Sequence, residues 1–412
     1  MQTTSYIKSN NATTHSSFSL RNILTVACVF LLICADSAFY LVNTQTGTVR
    51  MLIDLFAILL LILIKGRITI NRTGASVVLV MLLISLLSGV MTLAMKQTII
   101  IIAAIAIGWL FTNVVSYSDF KNLYTRIMFF LAVFSLVTFA ISVIAPQLVQ
   151  LLPQIVRQGG GANYYNALFS VICDSTYVSR NYGLFWEPGA FSIFLNIALF
   201  IELFQQRASI KNIAVLCLAI LSTLSTLGIA CMLVLVMGYV SQRQAFVRKG
   251  IKNFILFLMF CFVLYLIIDG EEFIFHVLGK LKINDGKINT TTSVRIDAFV
   301  YMGKAFLSSP LWGVGYTEFL HIQESYCSGM ATFTFMNLLA TYGLIGGVLP
   351  IVGCFKFFWK KIQGFIPVLA MFSFTVMIFS TENFMQITLL YIMMFYGFCT
   401  KEVAYEHSST CN

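Results

Sequence analysis

Apolar residues run through this chain in long blocks, and polar residues collect in the gaps between them. Blocks of spanning length fall near 22–42, 50–65, 75–93, 98–115, 126–145, 188–205, 212–225, 227–241, 252–268, 332–354, 364–380 and 384–400. A helix needs roughly 20 mainly apolar residues to cross the hydrocarbon core, with allowance for tilt. The pattern predicts an all-α polytopic integral membrane protein with about twelve transmembrane helices in one domain over 22–400. Residues 1–21 and 401–412 are expected to be tails. No secretory cleavage site precedes the first block, which is therefore expected to stay in place as a span. The stretch 212–240 is interrupted by Ser222-Thr223-Leu224-Ser225-Thr226-Leu227-Gly228. Arg207 and Lys211 precede it, and Arg243, Arg248, Lys249 and Lys252 follow it. Both basic clusters sort to one side of the bilayer if two short helices meet at that polar turn.

Two gaps are long, 146–187 and 269–331, and the others are short. Loops of that length in a compact protein are usually functional or disordered. Neither is low-complexity, and both carry aromatics. With both tails cytoplasmic, both long loops face outward, and most of the 26 Lys and Arg residues fall inside, as the positive-inside rule asks. The second loop contains an amphipathic helix over 293–306. Val294, Ala298, Met302 and Ala305 repeat at helical spacing, Thr292 or Ser293 caps it, Arg295 sits in its first turn, and Ser309-Pro310 ends it. It is expected to lie on the outer membrane face.

Composition agrees with this class. The chain is 59% hydrophobic and 10% charged, with 38 Phe, whereas soluble domains carry about 25% charged residues. The net charge of +10 reflects cytoplasmic loops, so nucleic acid is not an expected partner; membrane lipid is. The ten Cys are scattered, mostly in apolar blocks. Only Cys173 and Cys327 fall in the long loops, where a disulfide is possible in an oxidising compartment.

The densest candidate chemistry is Arg180-Asn181-Tyr182-Gly183-Leu184-Phe185-Trp186-Glu187-Pro188, where the first long loop enters an apolar block. Pro188 suits the first position of a helix, and Glu187 stands where the helix dipole favours negative charge. The same residues also suit an interfacial anchor, with Trp186 at headgroup level and Arg180 snorkelling. In the second loop, Trp312-Gly313-Val314-Gly315-Tyr316-Thr317-Glu318-Phe319-Leu320-His321 combines a tight turn, or a close approach to ligand, with titratable groups. His321 is open to a structural or a catalytic role. Asp36 and Asp54 stand inside spans. Arg50, four residues before Asp54, suits a helical ion pair, and the group serves either to hold two helices together or to pass protons or ions. Glu382, in the turn before the last block, is expected to face the same outer cavity. No DxD cluster suggests a metal.

Three features in order resemble the Wzy-type O-antigen polymerase and ligase superfamily. They are Arg180-x-x-Gly183-Leu184-Phe185-x-Glu187-Pro188, then Arg295 with its helix and Ser309-Pro310-Leu311-Trp312-Gly313-Val314-Gly315-Tyr316, then Asn337-Leu338-Leu339-Ala340-Thr341-Tyr342-Gly343-Leu344-Ile345-Gly346. The architectural resemblance covers about residues 20–400. It implies a GT-C-like, metal-independent and cofactor-free glycosyltransferase at the periplasmic face of a bacterial inner membrane. The donor would be an oligosaccharide on undecaprenyl pyrophosphate, joined onto the next lipid-linked repeat unit. Flippase and chain-length-regulator proteins would be partners. Arginine forks match phosphate oxygens, so Arg180 and Arg295, supported by Arg157, are the expected pyrophosphate clamp, with Gly313, Gly315 and Tyr316 beside the substrate. Glu187, Glu318 and His321 are candidate bases; Glu187 can instead orient Arg180. Ligases of the superfamily carry a His nearer the Gly-Leu-Ile-Gly span, where this chain has Thr332 and Thr334. Tyr164, Tyr165, Trp186, Tyr316 and Tyr326 suit either sugar stacking or the interfacial belt. The alternatives are a ligase of the same superfamily and a lipid-linked oligosaccharide flippase or transporter.

Overall fold

The computed structural model describes residues 20–44, 46–155, 163–174, 179–204, 209–242, 283–284, 287–288, 290–327, 331–360, 362–380 and 382–399. The apolar blocks become helices because lipid offers no hydrogen bond to an open backbone. In order they are α1 (Leu20–Cys34), the short α2 (Phe39–Thr44), α3 (Gly47–Lys65), α4 (Arg72–Thr92), α5 (Met95–Val114), α6 (Tyr117–Ile144), α7 (Pro146–Val149), α8 (Pro188–Leu203), α9 (Ile210–Ser222), α10 (Thr226–Gln242), α11 (Thr290–Ser308), α12 (Tyr316–Tyr326), α13 (Thr334–Trp359), α14 (Phe365–Phe379) and α15 (Thr388–Phe398). Among the described residues, α3, α4, α5, α6 and α13 are long and apolar enough to cross a membrane. Six further helices, α1, α8, α9, α10, α14 and α15, are apolar but shorter. This is a mostly helical membrane protein. The expected block 252–268 and most of both tails lie outside the described residues.

Two helices form the centre. Every residue of α8 and of α15 is buried. Their neighbours come close where side chains vanish. A Cβ on Gly397 of α15 would stand 1.9 Å from the Gly353 carbonyl oxygen of α13, and one on Gly108 of α5 would stand 2.7 Å from Tyr391 Cβ. Small residues permit such backbone approach between membrane helices. One end of the bundle is basic. There Arg21 donates to the Ile64 carbonyl, Lys65 stands 3.8 Å from Asp119, and Lys360 Nζ reaches the Cys399 carbonyl at 2.9 Å.

The opposite end collects the breaks. The first block is not one span as expected; it opens after Cys34 and resumes at Phe39. The first long loop docks in that gap. Phe39 N–H donates to the Leu184 carbonyl (2.8 Å), Trp186 N–H to the Ser37 carbonyl (3.2 Å), and Ala38 bridges Phe185. The turn between α9 and α10 falls at Ser222–Thr226, as the polar interruption predicts. The first loop also folds strands β1 (Gln154–Ile155), β2 (Asn163–Asn166) and β3 (Val171–Asp174) into an antiparallel sheet, which the hydropathy pattern does not announce.

The second loop is stitched to α13. Gly343 carries φ 62° and ψ −163°, kinking α13. The kink frees backbone groups, and the loop satisfies them. Val314 N–H donates to the Ala340 carbonyl (2.8 Å), Gly315 N–H to the Thr341 carbonyl (3.1 Å) and Leu344 N–H to the Pro310 carbonyl (2.8 Å). The amphipathic helix α11 starts at Thr290, so Arg295 lies in its second turn rather than its first. Ala298, Met302 and Ala305 are buried as the spacing requires. Helix α12 was not expected; the sequence there reads as a glycine turn.

Gly397→Ala should destabilise the protein by about 1–3 kcal/mol, the usual cost of overpacking, because backbone must move. Gly74→Ala, whose Cβ meets the Trp109 ring at 3.4 Å and Asn71 Cβ at 3.8 Å, should be near neutral. Thermal melts of the two purified variants check the contrast.

Candidate functional site

Pro188 opens α8 at the position where a missing N–H costs nothing. Glu187 precedes it in extended conformation (φ −158°, ψ 161°) and its side chain makes no cap hydrogen bond. The carboxyl turns instead to Glu382. A Cβ on Gly189 would stand 2.9 Å from Glu187 Oε1 and 3.7 Å from Glu382 Oε1, so both carboxyls converge over the first turn of α8. They are hydrogen-bonded to each other, and the Trp186 indole N–H also reaches Glu382.

Glu382 hangs from the turn between α14 and α15. Thr334, fully buried, fixes that turn: its hydroxyl donates to the Glu382 carbonyl and accepts from Phe384 N–H at 3.0 Å. Burial pushes the Glu382 carboxyl well above the usual carboxylate range. The hydrogen bond and charge of Glu187 push it further, while Arg295 and the Trp186 indole pull back. Two carboxyls this close in a desolvated place do not both ionise; Glu382 keeps the proton and donates it to Glu187.

Two arginines flank the pair. Arg180 Nε donates to the Thr223 carbonyl at 3.0 Å and Nη2 to the Leu224 carbonyl at 3.4 Å, both in the turn between α9 and α10. Asn181 braces the same turn, with Nδ2 donating to Ser222 Oγ (2.9 Å) and Ser135 Oγ (3.1 Å). Burial lowers the Arg180 pKa, against which Tyr182 and Glu187 act. An enclosed guanidinium with donors to spare favours an arriving anion. Arg295, half-buried on α11, faces the pair closely enough to act on Glu382 electrostatically. Loop one, loop two and the last interhelical turn thus meet at one place.

Beside it lies an open cavity of about 200 Å³, lined in part by Trp186, Glu382, Asn383, Gln386, Asp36 and Arg50. Asp36 Oδ2 accepts from Thr388 N–H and from the Thr388 hydroxyl, each at 3.1 Å, and so caps the buried start of α15. Asp54 Oδ2 meets the same hydroxyl at 2.7 Å. The expected Arg50–Asp54 ion pair does not form. Arg50 Nη1 donates instead to the Asp36 carbonyl at 3.2 Å, because the opening after α1 presents that oxygen to it. The helix-holding role of these acids is therefore visible.

The remaining candidates separate. Gly313 (φ 75°) and Gly315 (φ 81°) allow close approach, but to α13: a Cβ on Gly313 would stand 2.4 Å from Thr341 backbone atoms. Tyr316 is buried, its hydroxyl accepting from Gln386 Nε2 at 2.6 Å, and burial pushes its pKa up to about 12. It positions a cavity wall. His321 and Glu318 pair with each other at 3.7 Å on the exposed face of α12. Arg157 lies outside the described residues. Tyr164 and Tyr165 are buried, Tyr164 against Phe39, and Tyr326 stacks on Tyr301 at 4.7 Å. Cys173 and Cys327 form no disulfide. Among the described residues no group of three or more His, Cys, Asp or Glu gathers as a metal set. Asn383 and Gln386 escaped the sequence reading; their one signal is position, beside a lone acid between two apolar blocks. Thr334 was noted only as standing where ligases carry a His, and its hold on the Glu382 turn is not readable from the chain. Neither a family model nor a curated protein nor a solved structure matches the chain.

Folding raises the Glu382 pKa, so the native state holds a proton that the unfolded chain releases. Stability should be full below the ordinary carboxylate range and fall as pH climbs through the raised value. Glu382→Gln, which keeps the donor and cannot ionise, should flatten that fall in thermal melts taken across pH.

Proposed function

We propose that this chain is a Wzy-type polymerase. It joins undecaprenyl-pyrophosphate-linked oligosaccharide repeat units into O-antigen or a related surface polysaccharide. The convergence of Arg180 and Arg295 on the Glu187–Glu382 pair carries the reading. Departure of polyprenyl pyrophosphate needs cations placed where charge develops. Two arginines from two different loops supply them, and Arg180 still has donors beyond those held by the Thr223 and Leu224 carbonyls. The acceptor hydroxyl needs a base, and Glu187 serves. The hydroxyl oxygen bonds to the donor's anomeric carbon, the bond from that carbon to the pyrophosphate oxygen breaks, and the hydroxyl proton passes to Glu187. Glu382, protonated, holds Glu187 in place. His321 and Glu318, exposed and paired with each other, leave that role to Glu187.

The recessed position suits a lipid-linked donor. The helices whose ends carry the site are the short ones, α8, α9, α10, α14 and α15. Helix α9, with 13 residues, is about 20 Å long at 1.5 Å per residue, short of a hydrocarbon core about 30 Å thick. Its turn then lies below the outer surface, where a headgroup can descend while its tail stays in lipid. With the basic end cytoplasmic, the site faces the periplasm of a bacterial inner membrane. The twelve-span, GT-C-like topology follows if 252–268 also spans, and flippase and chain-length-regulator proteins are the fitting partners.

The test is a gel of surface polysaccharide from a strain lacking this chain. A lost ladder with core plus one repeat unit retained, restored by the wild-type gene, is the expected result. Arg180→Ala and Arg295→Ala, checked for membrane expression, should each reduce ladder formation at least a hundredfold. Bare core with lipid-linked polymer at the outer face would mean a ligase instead. Single lipid-linked units held on the cytoplasmic side would mean a flippase.

A further inference from the structure

The cavity beside the carboxyl pair has walls that a pyrophosphate would not choose. Asp36 and Glu382 line it with Arg50 as a single cation. With Glu382 holding its proton, Asp36 and Arg50 balance, so the wall offers no surplus of positive charge to a polyanion, and the two arginines assigned to the leaving group, Arg180 and Arg295, are not among its lining residues. Val42, Ile100 and Ile387 add apolar wall between the carboxyl, guanidinium and amide groups, a mixture that suits a lipid tail less well than a ring with both hydroxyls and a C–H face. What such a wall suits is a neutral molecule rich in hydroxyls. Planar amides donate to and accept from adjacent hydroxyls, carboxylates accept from them in pairs, and an indole face packs on the C–H face of a sugar ring. The cavity, at about 200 Å³, is smaller than the roughly 300–1,000 Å³ of pockets for drug-sized ligands. It has room for one ring.

Its walls are also fixed before any ligand arrives. Trp186 is tied to Glu382 through its indole N–H. Gln386 is tied to Tyr316 at 2.6 Å, and Asp36 is tied to the start of α15 through Thr388 at 3.1 Å. Asn383 Oδ1 accepts from Met385 N–H at 3.1 Å. Pre-organised polar groups recognise hydroxyls at low entropic cost. The set is incomplete on its own, because the Arg50 Nε has no hydrogen-bond partner. Glu382 belongs both to the cavity wall and to the carboxyl pair, so a ring held here has its edge at the base.

We propose that this cavity is a monosaccharide subsite that holds the terminal sugar of the acceptor repeat unit, separate from the arginine clamp that holds the donor's pyrophosphate. Trp186 forms its floor, and Gln386, Asn383, Arg50 and Asp36 read its hydroxyls. The assignment of the ring to the acceptor rests on the polymerase reading; the sugar-binding character of the cavity does not.

The experiment uses the full chain in lipid nanodiscs. The probe is the repeat-unit oligosaccharide released from its carrier by mild acid, free of lipid and phosphate, and the readout is tryptophan fluorescence. Saturable quenching is expected in the wild type and in Trp359→Phe, at the far end of the bundle. It should vanish in Trp186→Phe. Isothermal titration should show affinity at least tenfold weaker in Gln386→Ala and in the shape-preserving Asn383→Asp. Inorganic pyrophosphate should not compete. Absence of saturable binding to the wild type, quenching that survives in Trp186→Phe, or displacement by pyrophosphate would each overturn the subsite. The two readings fail separately. Sugar binding by a protein whose deletion leaves the ladder intact would sink the polymerase and spare the subsite. A lost ladder without sugar binding would do the reverse.

Discussion

A hydrogen bond between two carboxyl groups, Glu187 and Glu382, governs how this end of the molecule is built. Like charges in a desolvated place cannot both persist, so one carboxyl holds a proton and both need polar company. Trp186 supplies a donor, and Arg180 and Arg295 supply charge. The pair can be held because Glu187 stands at the start of the fully buried α8 and Glu382 in the turn that Thr334 fixes ahead of the fully buried α15. Rigid elements keep a site to the tolerance that chemistry needs.

The second constraint is the backbone itself. Within a membrane, helix breaks are tolerated only where protein covers the freed groups. Here the breaks do not scatter. The gap after α1, the turn between α9 and α10, and the Gly343 kink are each filled by one of the two long loops. Trp186 N–H takes the Ser37 carbonyl, Arg180 takes the Thr223 and Leu224 carbonyls, and Val314 and Gly315 take the carbonyls of Ala340 and Thr341. The satisfaction of broken helices and the placement of functional side chains are therefore one event. The described parts of these loops cannot leave the bundle without exposing buried polar groups.

Much of this was legible in the chain, for identifiable reasons. Hydropathy placed most of the described apolar helices within about four residues, because the blocks stand out, but it missed the break after Cys34, the polar first turns of α6 from Tyr117 and the extension of α13 to Trp359. Pro188 marked the start of α8, and the Ser222–Gly228 interruption marked the turn before α10. Arg180 and Glu187 drew notice because charges at the edge of an apolar block are costly and few, whereas Arg295, inside the second loop, drew notice through the family resemblance. What failed to show was long-range. Nothing local says that Glu382 meets Glu187, that Thr334 fixes the turn carrying Glu382, or that Gly313 packs on the kink at Gly343. Those pairings depend on how helices distant in sequence share one end of the bundle. His321 looked chemically apt, but its position on an exposed helical face is decided by α12, which the glycine pattern hid.

The most direct measurement is reconstitution. Purified protein in liposomes would be given lipid-linked repeat unit as both donor and acceptor, and products would be resolved by length. The account predicts lipid-linked chains of increasing length, with one undecaprenyl pyrophosphate released per bond formed and none released by the Glu187→Gln variant. Unchanged substrate with the wild type, or elongation that persists undiminished in Glu187→Gln, would contradict it.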